Sequence, residues 1–341
     1  MPTVSILVKA LNEERRIAEC LQAAVREAAL VDGEVIVVDS LSTDRTVDIA
    51  KQFAVRIVQF DALADRGCGA AVQLGFQFAK GDFVYVLDGD MVLQPGFLAL
   101  ALARMQAGPR LAGVGGRVTD SVVRTSYDRR RQAAAAGQTT EQTVKELGGG
   151  GLYRVAAVRQ TGYLAHRGLA AYEEAELGAR LCAGGWQLLR LARTAVMHEG
   201  HAEDNWGMLL RLWRNGRAQA TGAVLRSAAG HPWFWQLARK QVFVLLVPLL
   251  HLLIWGAVVL VCADPLTRWA AWAGGWLVIS GVFVWRKRGF AAGLWAVLLW
   301  HYFALAALAG LSRPVGDPLR PIGGHELTLF SRPLTQRTWS C

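Results

Sequence analysis

The sequence lacks the marks of a secreted or zinc-stapled protein. Its five cysteines, Cys20, Cys68, Cys182, Cys262 and Cys341, are scattered, form no Cys-x-x-Cys pair, and include one inside an apolar run. Neither a zinc site nor a disulfide framework is indicated, which suits a reducing cytoplasm. No basic segment precedes a long apolar stretch at the start: Val4-Ser5-Ile6-Leu7-Val8 is short and is closed by Lys9 and Asn12. It reads as a strand, not a signal peptide. Acidic residues are outnumbered, 27 against 37 lysines and arginines, for a formal charge of +10. The arginines cluster beside apolar runs and near Trp206 and Trp213, so anionic lipid headgroups account for the charge better than nucleic acid does.

What the chain does have is apolar bulk. It is 341 residues long and 53% hydrophobic, with a mean hydropathy of +0.25. That fits one globular domain of roughly 200 residues plus a membrane part. The first hundred residues alternate short β-rich runs with amphipathic stretches. Thr3 to Val8, Glu34 to Val38, Arg56 to Gln59 and Phe83 to Leu87 read as strands, and Ile17, Cys20, Leu21, Ala24, Val25 and Ala28 recur at helical spacing. Further helices carry Val47, Ala50 and Phe53, then Val72 and Phe76. Strands separated by such helices imply right-handed crossovers and a mainly parallel sheet. Ligands bind such sheets at the carboxyl ends of the strands, where Asn12, Asp39 and Asp88 fall.

Asp88-Gly89-Asp90 follows the apolar run Phe83 to Leu87. Side chains at i and i+2 of an extended run point to one side, so an aspartate pair held that way can grip a divalent cation and its phosphate. A polar turn after a strand is the plainer account of the tripeptide alone. Asp39 ends the second strand, and Ser42 or Thr43 can cap the helix that follows. A strand-tip aspartate can accept from a uracil nitrogen or a ribose hydroxyl, or act as a further cap. In Asp65-Arg66-Gly67-Cys68-Gly69 the glycines allow close backbone approach, and the helix start offers N–H groups to a phosphate.

Together these segments resemble family 2 glycosyltransferases of the GT-A fold, over roughly residues 3 to 200. The motifs are Val4 to Val8 with Asn12-Glu13-Glu14, Val37-Val38-Asp39 with Ser42 to Thr46, Arg66-Gly67 with Gly69-Ala70-Ala71, and Asp88-Gly89-Asp90. Downstream come Gly148 to Gly151 with Leu152-Tyr153-Arg154, and Tyr172-Glu173-Glu174-Ala175-Glu176-Leu177 running to Arg180-Leu181. The resemblance implies a nucleotide-sugar donor contacted by Asn12, Glu14, Asp39, Arg66, Gly69 and Asp88. It implies Mg²⁺ or Mn²⁺ held by Asp88 and Asp90, with His198 where some relatives have a metal or diphosphate contact. The second acid of the Glu173-Glu174 pair stands where the family has the base that deprotonates the acceptor hydroxyl, usually an aspartate; Glu174 therefore takes that role and Glu173 assists. Two acids at a helix start, with Glu176 and Arg180 as an i,i+4 pair, are the purely structural account. The glycines around Gly150, with Tyr153, let backbone pack close to the sugar or acceptor.

From Asn205 the character changes. Trp206, Leu209, Leu210 and Trp213 occupy one helical face while Arg211, Arg214 and Arg217 lie off it, as in a basic helix at a membrane interface. Val242 to Ala263, Trp269 to Trp285 and Phe290 to Leu311 are candidate spans. Positive charge before the first span and at Arg286-Lys287-Arg288 puts both places on the cytoplasmic side. Three spans would leave the tail outside, which its four arginines fit poorly.

The expected organisation is a catalytic domain over 1–204, an interfacial segment over 205–241, about three transmembrane helices over 242–311, and a tail over 312–341. The expected function is that of a multi-pass protein of the inner membrane with its catalytic domain cytoplasmic. It would be an inverting glycosyltransferase moving a sugar, from a UDP-sugar by preference, to a hydroxyl of a lipid-linked or membrane-proximal saccharide acceptor. Transfer to a polyprenyl phosphate and a non-catalytic nucleotide-binding membrane protein are the alternatives.

Overall fold

The computed structural model describes residues 3–122, 132–133, 137–199 and 205–327. The described residues form two compact units, one from 3–168, 173–199 and 317–327 and one from 169–172 and 205–316. The expected boundary at 204, His201, and the tail from 328 onward lie outside the described residues.

The first unit is a sheet flanked by helices. Its first strands are β1 (Val4–Ala10), β2 (Gly33–Asp39), β3 (Arg56–Phe60) and β4 (Phe83–Asp88), with α1 (Ile17–Ala29), α2 (Thr46–Ala50) and α3 (Cys68–Phe78) between them. They lie in the order β3-β2-β1-β4, all parallel. Alternation along β1 explains the burial: Ile6 and Val8 face one apolar cluster with Leu21 and Tyr85, and Leu7 faces another with Leu74 and Tyr153. Each such buried aliphatic side chain contributes about 1.5–3 kcal/mol. On α1 the buried set Ile17, Cys20, Leu21, Ala24 and Ala28 keeps the expected spacing.

Beyond Asp88 the sheet becomes mixed. β5 (Met91–Leu93), α4 (Phe97–Ala107), β6 (Leu111–Val122), β7 (Gln142–Val144), β8 (Gly151–Arg154), α5 (Val155–Gln160), α6 (Glu173–Ala183) and β9 (Gln187–Glu199) follow. β8 joins β4 and β6 in antiparallel fashion, β9 runs parallel to β6, and β5 and β7 pair antiparallel to β9. The parallel pairing of β6 with β9 puts Asp120 beside His198, and β5 sets Met91 opposite the same histidine, so residues far apart in sequence meet just beyond the end of β4.

The second unit is helical: α7 (Asn205–Arg214), α8 (Ala220–Ala228), α9 (Phe234–Val261), α10 (Pro265–Lys287) and α11 (Phe290–Ser312). Val247, Trp276, Trp300 and Ala304 form its small core. α9 and α11 are long and apolar enough to cross a membrane, by length and composition alone. α10, expected as the middle span, has the length but is less apolar; Arg268 stands near its start and Arg286 and Lys287 at its end. On α7, Trp206 meets the ring of Trp295 and Trp213 that of Tyr302, both on α11, while Trp206 stays 57% exposed.

After α11 the chain returns to the sheet. β10 (Gly324–Glu326) pairs antiparallel with β3, the edge strand. Glu326 accepts a two-pronged ion pair from Arg56 at 2.8 and 2.9 Å, Gln77 and Ile322 exchange two hydrogen bonds, and Ile322 is 3% exposed.

Candidate active site

The strand-end loops that follow β1 and β2 are laced together. The Asn12 amide donates to Ser42 Oγ at 2.9 Å, and Asn12 Oδ1 accepts from the Thr43 amide at 2.8 Å. The Glu14 amide donates to Asp44 and its carboxylate accepts from the Arg45 amide. Asn12 sits at φ +57°, a left-handed conformation that asparagine tolerates. Ser42 and Thr43, expected as helix caps, are used in this lacing; Asp44 Oδ1 accepts from the Thr46 amide instead. Asp39 is fully buried, and its carboxylate accepts from the Ser42 amide and, at 2.7 Å, from Gln59 Nε2. Arg66 Nη1 donates to the Ser40 carbonyl, and Gly69 lies in the first turn of α3. Asn12, Glu14, Asp39, Arg66 and Gly69 are thus gathered at the carboxyl ends of β1 to β3.

Asp88 and Asp90 part company. Asp88 closes β4 beside its register partner Lys9, whose Nζ lies 2.7 Å from Asp88 Oδ1. Gly89 makes the turn, because a Cβ there would stand 3.0 Å from the Lys9 carbonyl. Asp90 has a different partner: its Oδ2 lies 3.3 Å from His198 Nε2. Asp120 Oδ1 lies 3.0 Å from His198 Nδ1, its side chain fully buried. A buried carboxylate behind an imidazole fixes the ring's tautomer and raises the basicity of the outward nitrogen, the arrangement common behind metal-binding histidines. Among the described residues no group of three or more His, Cys, Asp or Glu side chains is disposed to hold a metal by itself. One carboxylate and one supported imidazole nevertheless fit Mn²⁺ or Mg²⁺ where a diphosphate and water supply the other ligands. A cavity of about 90 Å³ opens at this point, bordered by Arg16, Glu19, Asp90, Ser121 and His198. Burial, then Asp90 and Asp88, push the Glu13 carboxyl up to about 7.

The opposite wall is the start of α6. Gly148, Gly149 and Gly150 have φ of +64°, +81° and +89°, and a Cβ on Gly150 would strike the Val86 carbonyl. This turn aims two amides at one carboxylate: the Gly149 amide donates to Glu174 Oε2 at 2.8 Å and the Gly150 amide to Oε1 at 2.7 Å. Burial, reinforced by Glu173, raises the Glu174 carboxyl to about 7, while Lys9 and the Gly150 amide oppose the shift. Glu173 Oε1 lies 3.5 Å from Lys9 Nζ. Tyr153 is 1% exposed, so it backs a small pocket bordered by Lys9, Glu173, Glu174 and Leu164. Glu176 and Arg180 form the expected pair, doubly hydrogen-bonded and buried, with Tyr163 donating to Glu176. Trp206, Arg211, Trp213 and Arg214 belong to α7 in the second unit.

Four polar residues of the site escaped sequence reading. Lys9 read only as the close of a strand, and Gln59 as strand interior. Glu13 was read only as the middle of the Asn12-Glu13-Glu14 motif, with no role of its own. Asp120 had no local signal, since its partner His198 is 78 residues away.

Strand-end carboxylates over a mixed sheet, facing an acidic helix start, define a fold of the nucleotide-diphospho-sugar transferase type. Residues 5–165 match the family described as Glycosyl transferase family 2. The chain is 32% identical over 124 residues to the low-salt glycan biosynthesis hexosyltransferase Agl6 of Haloferax volcanii, covering 36% of this chain and 29% of that one. It is 32% identical over 98 residues to the putative glycosyltransferase EpsH of Bacillus subtilis, covering 28% of each. The matches therefore span less than a third of these relatives. Among solved structures it resembles the mannosyltransferase PcManGT of Pyrobaculum calidifontis, in complex with GDP-Man and Mn²⁺, at 19% identity and a TM-score of 0.60. That likeness covers 91% of this chain and 87% of the other and shows a common fold.

Proposed function

We propose that this protein is a membrane-associated, inverting glycosyltransferase that moves a sugar from a nucleoside diphosphate to an acceptor hydroxyl. The observation that carries the reading is the pairing of two half-sites across the end of β4: Asp90 with His198 on one side, Glu173 and Glu174 on the other. Asp39 with Gln59 would receive the base or ribose, and Asn12, Glu14, Arg66 and Gly69 would line the nucleotide loop. Asp90 and His198 would hold the metal, which when bound neutralises the departing diphosphate. Asp88, engaged by Lys9, would flank the ribose. Glu174, with a pKa near the working pH, would take the proton of the acceptor hydroxyl. UDP and GDP sugars both remain donors to be tried. The decisive experiment presents a panel of both to the full chain in native membranes: turnover that a chelator abolishes and Mn²⁺ or Mg²⁺ restores supports the reading. Full turnover in excess chelator sinks the metal assignment.

One observation favours a second acceptor. Both oxygens of Glu174 already accept backbone amides, so this carboxylate also serves as the clasp of the glycine turn. A polyprenyl phosphate is already an anion and needs no base, and it would tolerate Glu174 in a purely structural role.

The membrane arrangement follows from the chain's path. β10 pairs with β3, so both ends of the helical unit join the catalytic unit. Both ends of the helical unit would then lie on one side of a bilayer, the side of the first unit. The basic face of α7, with Arg211 and Arg214, and its tryptophans would lie at the lipid headgroups near a lipid-linked acceptor.

A further inference from the structure

Among the described residues, Lys9 meets a carboxylate at the end of β4 and another at the start of α6. Its side chain is 15% exposed, 2.7 Å from Asp88 on β4 and 3.5 Å from Glu173, the first residue of α6. The first contact is fixed by strand register, since Lys9 and Asp88 are direct partners on β1 and β4. The second spans 164 residues of sequence and has no local cause. Next to Glu173 stands Glu174, which holds the amides of Gly149 and Gly150. A continuous polar path thus runs from the aspartate turn through the Lys9 ammonium to the start of α6 and on to the glycine turn.

We propose that Lys9 is a positioning residue that clamps the start of α6 to the end of β4, so that the acceptor-activating acids are held at a fixed distance from the bound donor. The clamp acts through geometry: an ammonium between two carboxylates fixes both, and α6 has no covalent tie to β4 nearby. A reacting hydroxyl displaced by 1 Å can lose about 10²-fold in rate, so a loosened α6 would slow transfer without weakening nucleotide binding. A simple charge-balancing role predicts otherwise, because it would be met equally by removing a carboxylate.

This inference rests on the transferase reading, and its test has one readout that needs no turnover. The variants are Lys9→Met, Lys9→Arg, Glu173→Gln and the double Lys9→Met with Glu173→Gln, each in the full chain. Backbone hydrogen exchange over residues 173–180 should rise about tenfold in Lys9→Met and return towards the parent in Lys9→Arg. In kinetics, Lys9→Met should lower kcat by about 10- to 100-fold while the Kd for UDP or GDP with Mn²⁺ stays within about threefold. The double variant should lose no more than Lys9→Met alone, as expected when both residues serve one contact. If Lys9→Met does not fold, the double variant, which removes one carboxylate with the ammonium, and Lys9→Arg carry the same comparisons. Unchanged exchange, unchanged kcat, a nucleotide affinity that falls as far as kcat, or strictly additive losses would each overturn the clamp. A parent chain that transfers no sugar would sink the transferase reading, and the exchange result would still decide the clamp.

Discussion

Glu174 serves two demands that pull in opposite directions. Burial and the neighbouring Glu173 raise its pKa to about 7, while two backbone amides favour its charged form. As the base, it must be unprotonated in the free enzyme, so kcat/KM should climb as pH rises through about 7 and level off above it. A pH–rate profile flat from 6 to 8 would remove Glu174 as the base and favour a phosphate acceptor. Glu174→Gln is harsher here than its size suggests: one of the two amides would face an NH₂ group instead of an oxygen. We expect a turnover loss of about 10²–10⁴-fold if the base role holds. At the opposite wall, Asp90→Ala should abolish Mn²⁺ binding measured by titration. Asp120→Asn should weaken it about 10- to 100-fold by releasing the histidine ring. Undiminished Mn²⁺ affinity in Asp90→Ala would move the metal away from this pair. The aspartate pair was legible in sequence because a strand ending in Asp-Gly-Asp is a local signal. Its division between two partners was not, because Lys9 and His198 reach it through strand pairing.

Among the elements, β1 to β4 announced themselves through short apolar runs punctuated by amphipathic helices, and the parallel half of the sheet follows directly. The mixed half did not, since β5, β7 and β10 are three residues each and carry no periodicity that a reader could detect. Such strands exist because an edge offers them unpaired backbone groups, which is a tertiary cause. β10 is anchored by packing more than by charge. Ile322 is 3% exposed, so Ile322→Ala should cost about 2–5 kcal/mol. Glu326→Ala removes a partly exposed ion pair and should cost up to about 1 kcal/mol. Thermal unfolding of the purified full chain separates the two; an equal shift for both would mean that the strand is held chiefly by Arg56.

For the molecule as a whole, the return of the tail constrains how the chain can meet a bilayer. Composition alone suggested three spans and left the side of the tail open, because three apolar runs are visible and nothing in Gly324-His325-Glu326 signals pairing with residues 58–60. A strand bonded to the catalytic sheet cannot lie across the membrane from it. Both ends of the helical unit should therefore lie on one side of a bilayer, and Leu319, 63% exposed in the first unit, should lie on the catalytic side. The measurement is labelling of Leu319→Cys by a membrane-impermeant maleimide, in a chain lacking the other cysteines. The residue should react in inside-out vesicles and stay protected in intact spheroplasts, as should a cysteine retained only at position 68. Cys262, between α9 and α10, should show the reverse if α9 crosses. Labelling of Leu319→Cys from outside, with Cys68 protected, would require that β10 leave the sheet in the membrane-bound protein and would restore the three-span arrangement.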